Sequence, residues 1–234
     1  MKLSKVTALA IENILSTVKL IKVAELLITN DKVSGYNPDK TAFVLSDLSL
    51  TDDFGEMGIN RLQTFLSRFN LIKDDDNAVI TAEIDGVDDD KFVKQMNFKS
   101  KALNIQYRCG PPKFIASPKV VHDNEEFIIK IDEDLSNLIS KASGTSDSDR
   151  IKLINVNGEL TYELVDNSND IIKIEAEDKV EVESDGSNNF TFSYALDMFN
   201  SLMKGCAEAT YSIGKRGIFK IKVNGLTIYM LPRV

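Results

Sequence analysis

The chain has 234 residues, of which 43% are hydrophobic and 27% charged, and a net charge of −8. That is enough to bury the core of one large domain or of two with about 115 residues each, and it excludes a disordered chain. No apolar run approaches the roughly twenty residues that a bilayer-spanning helix needs. Met1-Lys2-Leu3-Ser4-Lys5 has no signal-peptide core, so a cytoplasmic location and no membrane partner are expected.

Leu3, Val6, Ala10, Ile14 and Val18 share one side of a 3.6-residue period, with Lys5, Glu12, Ser16 and Lys19 on the other, which predicts a helix over residues 3–18. Strand-like segments follow at 20–29 and 40–50, with Ser34-Gly35 and Asn37-Pro38 read as turns. A second helix is expected from near Gly58 to Asn70, burying Leu62, Phe65, Leu66 and Phe69. Its Arg61 and Arg68 lie seven residues apart, so they point almost the same way beside Asn60, Thr64 and Ser67. Strands at 78–84, 91–98 and 101–107 come next, separated by acidic turns. Residues 109–118 contain three of the five prolines and no periodicity, and read as an extended connector. Phe114 and Ile115 within it are expected to pack onto a domain surface.

The second half repeats the order of the first. A strand at 126–130 leads to a helix from Asp132 to Ser143, with Leu135, Leu138, Ile139 and Ala142 inside and Asn137, Ser140 and Lys141 outside. A hairpin joins 150–156 to 159–165 across Asn157-Gly158, and strands follow at 171–174 and 179–183. A helix over 192–204 buries Ala195, Leu196, Phe199, Leu202 and Met203, presents Asp197, Ser201 and Lys204, and closes at Gly205. The chain ends in a hairpin: Gly217, Phe219, Ile221 and Val223 alternate with polar neighbours, Asn224-Gly225 turns, and Leu226, Ile228 and Met230 resume the alternation. The expectation is an α+β protein of two tandem similar domains, 1–110 and 126–234, joined by a connector at 111–125. Each domain has helices on one face of antiparallel sheets.

The chemistry-bearing signals are sparse. Cys109 and Cys206 lack metal-ligand spacing, and one histidine, His122, leaves no histidine-based triad or multi-histidine metal centre. Asp53-Phe54-Gly55 has no kinase catalytic loop or glycine-rich loop to accompany it. Asp74-Asp75-Asp76 and Asp88-Asp89-Asp90 lack the alternating ligands of a calcium loop and read as solvated turns. No nucleophile, base and oxyanion donor assemble, so the chain is read as a non-enzyme without metal or cofactor. An acidic chain is repelled by phosphates, yet the charge is unevenly placed. The helical segments 1–19 and 58–72 carry +2 each, 132–144 carries −2 and 190–205 is neutral, so the remainder carries −10.

Two tandem α+β halves, a proline-containing connector and the ending Tyr229-Met230-Leu231-Pro232-Arg233 resemble the sliding-clamp family, the DNA polymerase processivity factors related to proliferating cell nuclear antigen. The start Met1 to Lys5, Phe65-Leu66-Ser67 through Leu71-Ile72 with the acidic run after it, and the helix Asp132 to Lys141 are similar to the clamps of T-even-type tailed phages. Tyr229 to Pro232 is more similar to the cellular and archaeal clamps. The resemblance covers nearly the whole chain. It implies the DNA clamp fold and a homotrimeric ring whose helices surround duplex DNA without reading its sequence. A clamp loader would place the ring, which would tether the replicative DNA polymerase, in the host cell cytoplasm if the chain is phage-encoded. It also implies DNA-facing cations at Lys5, Lys19, Arg61, Arg68, Lys141 and Lys204, a thinly charged lining with Glu12 and Asp197 among them. A pocket for partner peptides would be formed by Phe114, Ile115, Tyr229, Leu231 and Pro232. Ring closure would join the edge strand near 101–107 to the strand near 171–174 of a neighbour. The competing expectation is a non-enzymatic two-domain scaffold or virion-associated protein that makes protein contacts alone.

Overall fold

The structure, a computed structural model, describes residues 1–87, 90–119, 123–176, 180–182, 189–205 and 209–233. His122, Cys206, Asp88, Asp89, Lys179 and Glu183 lie outside the described residues. The chain divides into two compact units, Met1–Val120 with Asn224–Leu226, and Val121–Val223 with Thr227–Val234.

In the first unit, α1 spans Lys5–Val18 and begins two residues later than the periodicity predicts. Ser4 is the reason: its hydroxyl accepts the Thr7 N–H at 3.2 Å, capping the helix. The N–H and hydroxyl of Ser4 in turn donate to the Asp52 carboxylate at 2.6 and 2.7 Å. The buried face of α1 is Thr7, Ile11, Ile14, Leu15, Thr17 and Val18, whereas Val6 is 65% exposed. The expected stripe Val6, Ala10, Ile14, Val18 advances by four each time and so drifts about 40° per step around the helix. Thr7 can replace Val6 inside because its hydroxyl bonds Ser4 and lies 3.2 Å from that of Thr51.

A 3-10 turn, Lys19–Ile21, follows. Then come β1 (Leu26–Ile28), β2 (Lys32–Tyr36), β3 (Ala42–Asp47) and β4 (Met57–Ile59). They form an antiparallel run in the order β3-β2-β1-β4. Ser34-Gly35 is therefore strand, not turn. A side chain at Gly35 would come within 2.5 Å of the Glu25 carbonyl oxygen, so the glycine marks a close backbone approach. The turn lies at Asn37, whose side-chain oxygen accepts the Ala42 N–H at 2.9 Å.

Gly58, expected to open a helix, belongs to β4, and its carbonyl accepts the Gly110 N–H at 2.9 Å. α2 is shorter than predicted, Leu62–Asn70, and buries Leu62, Phe65, Leu66 and Phe69 as expected. The second sheet of this unit comprises β5 (Val79–Asp85), β6 (Phe92–Lys99) and β7 (Asn104–Arg108), in that order. Phe65 meets Phe98 and Tyr107 edge to face, at 5.4 and 4.8 Å between ring centroids. These contacts dock α2 on the sheet through the aromatic geometry that quadrupoles favour.

The second unit opens with β8 (Glu125–Ile129) and α3 (Glu133–Gly144). Asp132 caps α3 by accepting the Leu135 N–H at 2.8 Å. Leu138, expected inside, is 49% exposed, and Ser136 is buried in its place. β9 (Arg150–Val156) and β10 (Glu159–Val165) are the predicted hairpin, followed by β11 (Ile171–Ala176) and β12 (Val180–Val182).

Residues 192–195, predicted as helix, complete the strand β13 (Phe190–Ala195). The alternation of Phe190, Phe192 and Tyr194 favours a pleat, and β13 pairs with β9 from Phe190↔Asn155 to Ala195↔Arg150. α4 (Leu196–Gly205) starts only where that pairing ends. β14 (Thr210–Gly214), which the sequence reading missed, precedes β15 (Phe219–Val223) and β16 (Leu226–Met230). Asn224 and Gly225 both have positive φ, 52° and 77°, as a two-residue primed turn requires. One sheet has the order β11-β10-β9-β13, and β12-β8-β14-β15-β16 form the other run. Phe199, with no exposed surface, lies against Tyr162, Tyr194 and Phe219, which ties α4 into this core.

Candidate nucleic-acid face and partner surfaces

The six cations expected to face DNA fall into two groups, one on each unit. On α1, Lys5 is exposed and lies 3.4 Å from Asp76, a solvated pair worth little to stability. Lys19 is exposed just past the end of α1. Between them the solvent side of the helix holds Val6, Leu9, Asn13 and Ser16, so it is apolar near its start and uncharged further on. Glu12 is paired with Lys73 at 3.4 Å, which partly offsets its charge. On the second unit, Lys141 is exposed in the last turn of α3 and Lys204 in that of α4. Both stand where a helix dipole favours a cation.

Arg61 and Arg68 are engaged differently. Arg61 lies at the N-cap of α2 and has no side-chain cap there. Its guanidinium carbon sits 5.1 Å from the centroid of the Tyr107 ring, and its Nη2 donates to the Arg108 carbonyl at 3.3 Å. Arg68, half-buried, places its guanidinium 5.7 Å from the same centroid and donates from Nη1 to the Gln106 carbonyl at 2.7 Å. The two arginines are brought together by Tyr107, which the sequence reading did not single out. Its hydroxyl accepts the Arg61 backbone N–H and donates to Asn60 Oδ1, each at 3.2 Å. Burial pushes the Tyr107 hydroxyl above the ordinary tyrosine range, so it stays protonated and able to donate. The signal available in the sequence was Tyr107 on the inward phase of an alternating strand that ends beside a glycine-proline run.

Next to Arg61 is a hollow of about 370 Å³. Asn60, Arg61, Lys94, Arg108 and Gly110 contribute to its wall. Lys94 pairs with Glu83 at 3.6 Å. Cys109 also lines this hollow, and burial pushes its thiol up to about 12; at neutral pH it is an inert thiol rather than a nucleophile.

The residues expected to receive partner peptides are placed as follows. Within the first unit, Pro112–Phe114 forms a 3-10 turn. Ile115 is buried, with its Cγ1 close to Gly58, while Phe114 is 73% exposed, with only Lys113 Nζ over its ring at 5.2 Å. Half of the expected connector packing is thus present. The Ser117 hydroxyl, 2.6 Å from that of Ser34, fastens the connector further along. Within the second unit, Tyr229, Leu231 and Pro232 are all half-buried. Arg233 fixes this ending: its N–H donates to the Ser193 carbonyl at 2.7 Å and its Nη1 to Asp149 at 3.1 Å.

β7 in the first unit and β11 in the second each stand at the end of a sheet. No group of three or more His, Cys, Asp or Glu side chains among the described residues could hold a metal ion. No described helix is long and apolar enough to cross a membrane.

Paired antiparallel sheets with two helices on each unit define the α+β architecture of the DNA sliding clamps. Three solved structures share it along nearly their full length. They are a proliferating cell nuclear antigen (PCNA) of A. fulgidus bound to the C-terminal region of FEN-1, with a TM-score of 0.66 and 13% identity over 97% of this chain and 96% of that one; a PCNA2–PCNA3 complex from Sulfolobus tokodaii, 0.64 and 14% over 100% and 99%; and the proliferating cellular nuclear antigen of Entamoeba histolytica, 0.66 and 14% over 100% and 98%. The likeness is one of fold. No protein-family model matches the sequence, and no curated protein matches it.

Proposed function

We propose that this chain is a sliding clamp: a non-enzymatic ring of three identical subunits that encircles duplex DNA and holds the replicative DNA polymerase on it. The observation that carries the proposal is the clamp fold over the whole length of the chain, with nearly complete coverage of both partners in each comparison. In this reading the clamp domains are 1–110 and 126–234, with 111–125 as their connector. Similarity at the start of the chain, around Phe65-Leu66-Ser67 and along Asp132 to Lys141 favours a phage clamp, working in the host cytoplasm. A clamp loader would open the ring.

The physical rationale is that enclosure makes release a matter of topology, so weak phosphate contacts suffice and permit sliding. Lys5, Lys19, Lys141 and Lys204 are the proposed phosphate contacts, with Arg61 and Arg68 in the same set by charge and helix. α1, at 14 residues, is about 21 Å long, enough to bridge neighbouring phosphate ridges without entering a groove. An acidic remainder would discourage DNA elsewhere.

Ring closure is assigned to the edge of β7 meeting the edge of β11 on the next copy, a heterologous contact of the kind that generates rings. The A. fulgidus protein is bound to a segment of FEN-1, which supports reading Phe114 and Ile115 on one unit, and Tyr229, Leu231 and Pro232 on the other, as contacts for partner peptides. The test is retention on DNA after loading. A clamp stays on a closed circle and runs off a linear fragment; equal loss from both, from a protein that is a monomer in solution, would leave the scaffold reading in its place.

A further inference from the structure

The free edge of β7 is not bare. In an antiparallel strand the N–H and C=O of one residue point to the same side and successive residues point to opposite sides. The Cys109 N–H donates to the Lys94 carbonyl, so in the register of β7 with β6 the residues two and four before it, Tyr107 and Ile105, are the ones that turn their N–H and C=O toward β6. Gln106 and Arg108 therefore direct their carbonyls outward, away from β6. Those two carbonyls are the ones that accept the guanidinium groups of Arg68, at 2.7 Å, and Arg61, at 3.3 Å. α2 and β7 run in opposite directions, so the first arginine reaches the last of the two carbonyls. Both guanidiniums are seated against the Tyr107 ring, and Tyr107 is itself anchored by Asn60 and the Arg61 N–H.

We propose that Arg61 and Arg68 form a latch on the β7 edge, occupying Gln106 O and Arg108 O in the separate chain so that a second copy must displace both guanidiniums before its strand can pair there. The inference rests on the ring reading for the identity of the second copy and adds to it a barrier to association. An edge strand left open is a template for any extended segment. Charged side chains laid along it reject indiscriminate pairing, while a strand that supplies a full set of ladder bonds can still replace them. The arginines are positioning residues in this account: they act through the carbonyls of β7 and need touch neither DNA nor partner peptide.

The test uses the full chain with Arg61→Met and Arg68→Met together. Methionine keeps an unbranched apolar stem beside Tyr107 and removes every donor. Arg68→Met alone is the second variant, since it leaves the Arg61 contact at the start of α2 intact, and thermal melting confirms that each variant is folded. Sedimentation equilibrium over a wide protein concentration range, at fixed salt, gives the association constant. Loss of two charge-assisted bonds that compete with pairing should make self-association about tenfold tighter in the double variant and about threefold tighter in Arg68→Met. An associating wild type whose variants associate equally or more weakly overturns the latch and leaves the ring reading standing. Wild type and variants that all remain monomers at every concentration overturn the ring reading, and the latch with it. A variant that associates where the wild type does not supports the latch.

Discussion

Tyr107 joins helix, sheet edge and both arginines, so its replacement has a magnitude that can be worked through. Tyr107→Phe keeps the ring in its fully buried seat and removes the hydroxyl. Two hydrogen bonds at 3.2 Å are lost, and the Arg61 N–H and Asn60 Oδ1 lose a partner in a part-buried place. Both bonds are at the long end of good geometry, and the freed groups can reach water, so the cost should be about 1–2 kcal/mol. Tyr107→Leu also removes the edge-to-face contact with Phe65 at 4.8 Å, worth about 0.5–1.5 kcal/mol. It further removes the face on which two guanidiniums rest, at about 0.5 kcal/mol or more for each partly exposed cation. The cavity and shape change of the smaller side chain add to that. Stability should therefore fall in the order wild type, Phe, Leu, with the second step at least as large as the first. Urea unfolding followed by circular dichroism measures it, with a shared slope confirming that stability alone has changed. A Phe variant within about 0.3 kcal/mol of wild type would show that the hydroxyl does not tie α2 to β7.

Lys141→Glu with Lys204→Glu should leave the melting temperature within a degree or two and reduce the slope of DNA affinity against salt by about two phosphate contacts' worth; an unchanged slope would remove them from the DNA face. Tyr229→Ala with Pro232→Ala should weaken binding of the polymerase's tail peptide by about tenfold or more, and a superimposable titration would refute that surface. Partial burial raises the Glu125 carboxyl, but hydrogen bonds and charge from Lys220 and Lys222 outweigh it and hold the group below its ordinary 4.5. Its stabilising contribution is then complete above that value and fades as pH falls through the lowered one, so Glu125→Gln should cost stability at pH 7 and progressively less in acid. A difference that persists undiminished at the lowest pH at which both proteins fold would contradict this. In a Cys206→Ser background, Cys109, with its thiol near 12, should resist alkylation at pH 8 until the chain is unfolded; rapid labelling of the native protein would contradict its burial.

Much of the architecture was legible because periodicity reports burial. Leu62, Phe65, Leu66 and Phe69 are all inside, and both strands of the 150–165 hairpin fall on the predicted residues because Asn157-Gly158 fixes the turn. Boundaries failed where tertiary pairing overrode local pattern. Gly58 looked like the approach to a helix but lies in a ladder with β1 and touches Gly110. Ala195 has the phase of a helical face with Phe199, yet residues 192–195 are held as strand by β9. Thr7 entered the core in place of Val6 because hydroxyl partners from Ser4 and Thr51 were waiting, which no single-residue scale records.

For the candidate site, charge and exposure could be read for Lys5, Lys19, Lys141 and Lys204, since solvated helix positions follow from phase. The engagement of Arg61 and Arg68 could not, because it depends on which carbonyls of a distant strand face outward. Phe114 and Ile115 are adjacent in sequence but divide between solvent and interior, a distinction set by the turn at Pro112 and by the nearby backbone of Gly58.

Sedimentation equilibrium of the purified protein measures directly whether three copies of this chain close into a ring: the expected result is a concentration-dependent approach to three times 26.1 kDa. A mass that stays at one times that value, at concentrations well above those at which edge pairing should saturate, would contradict it.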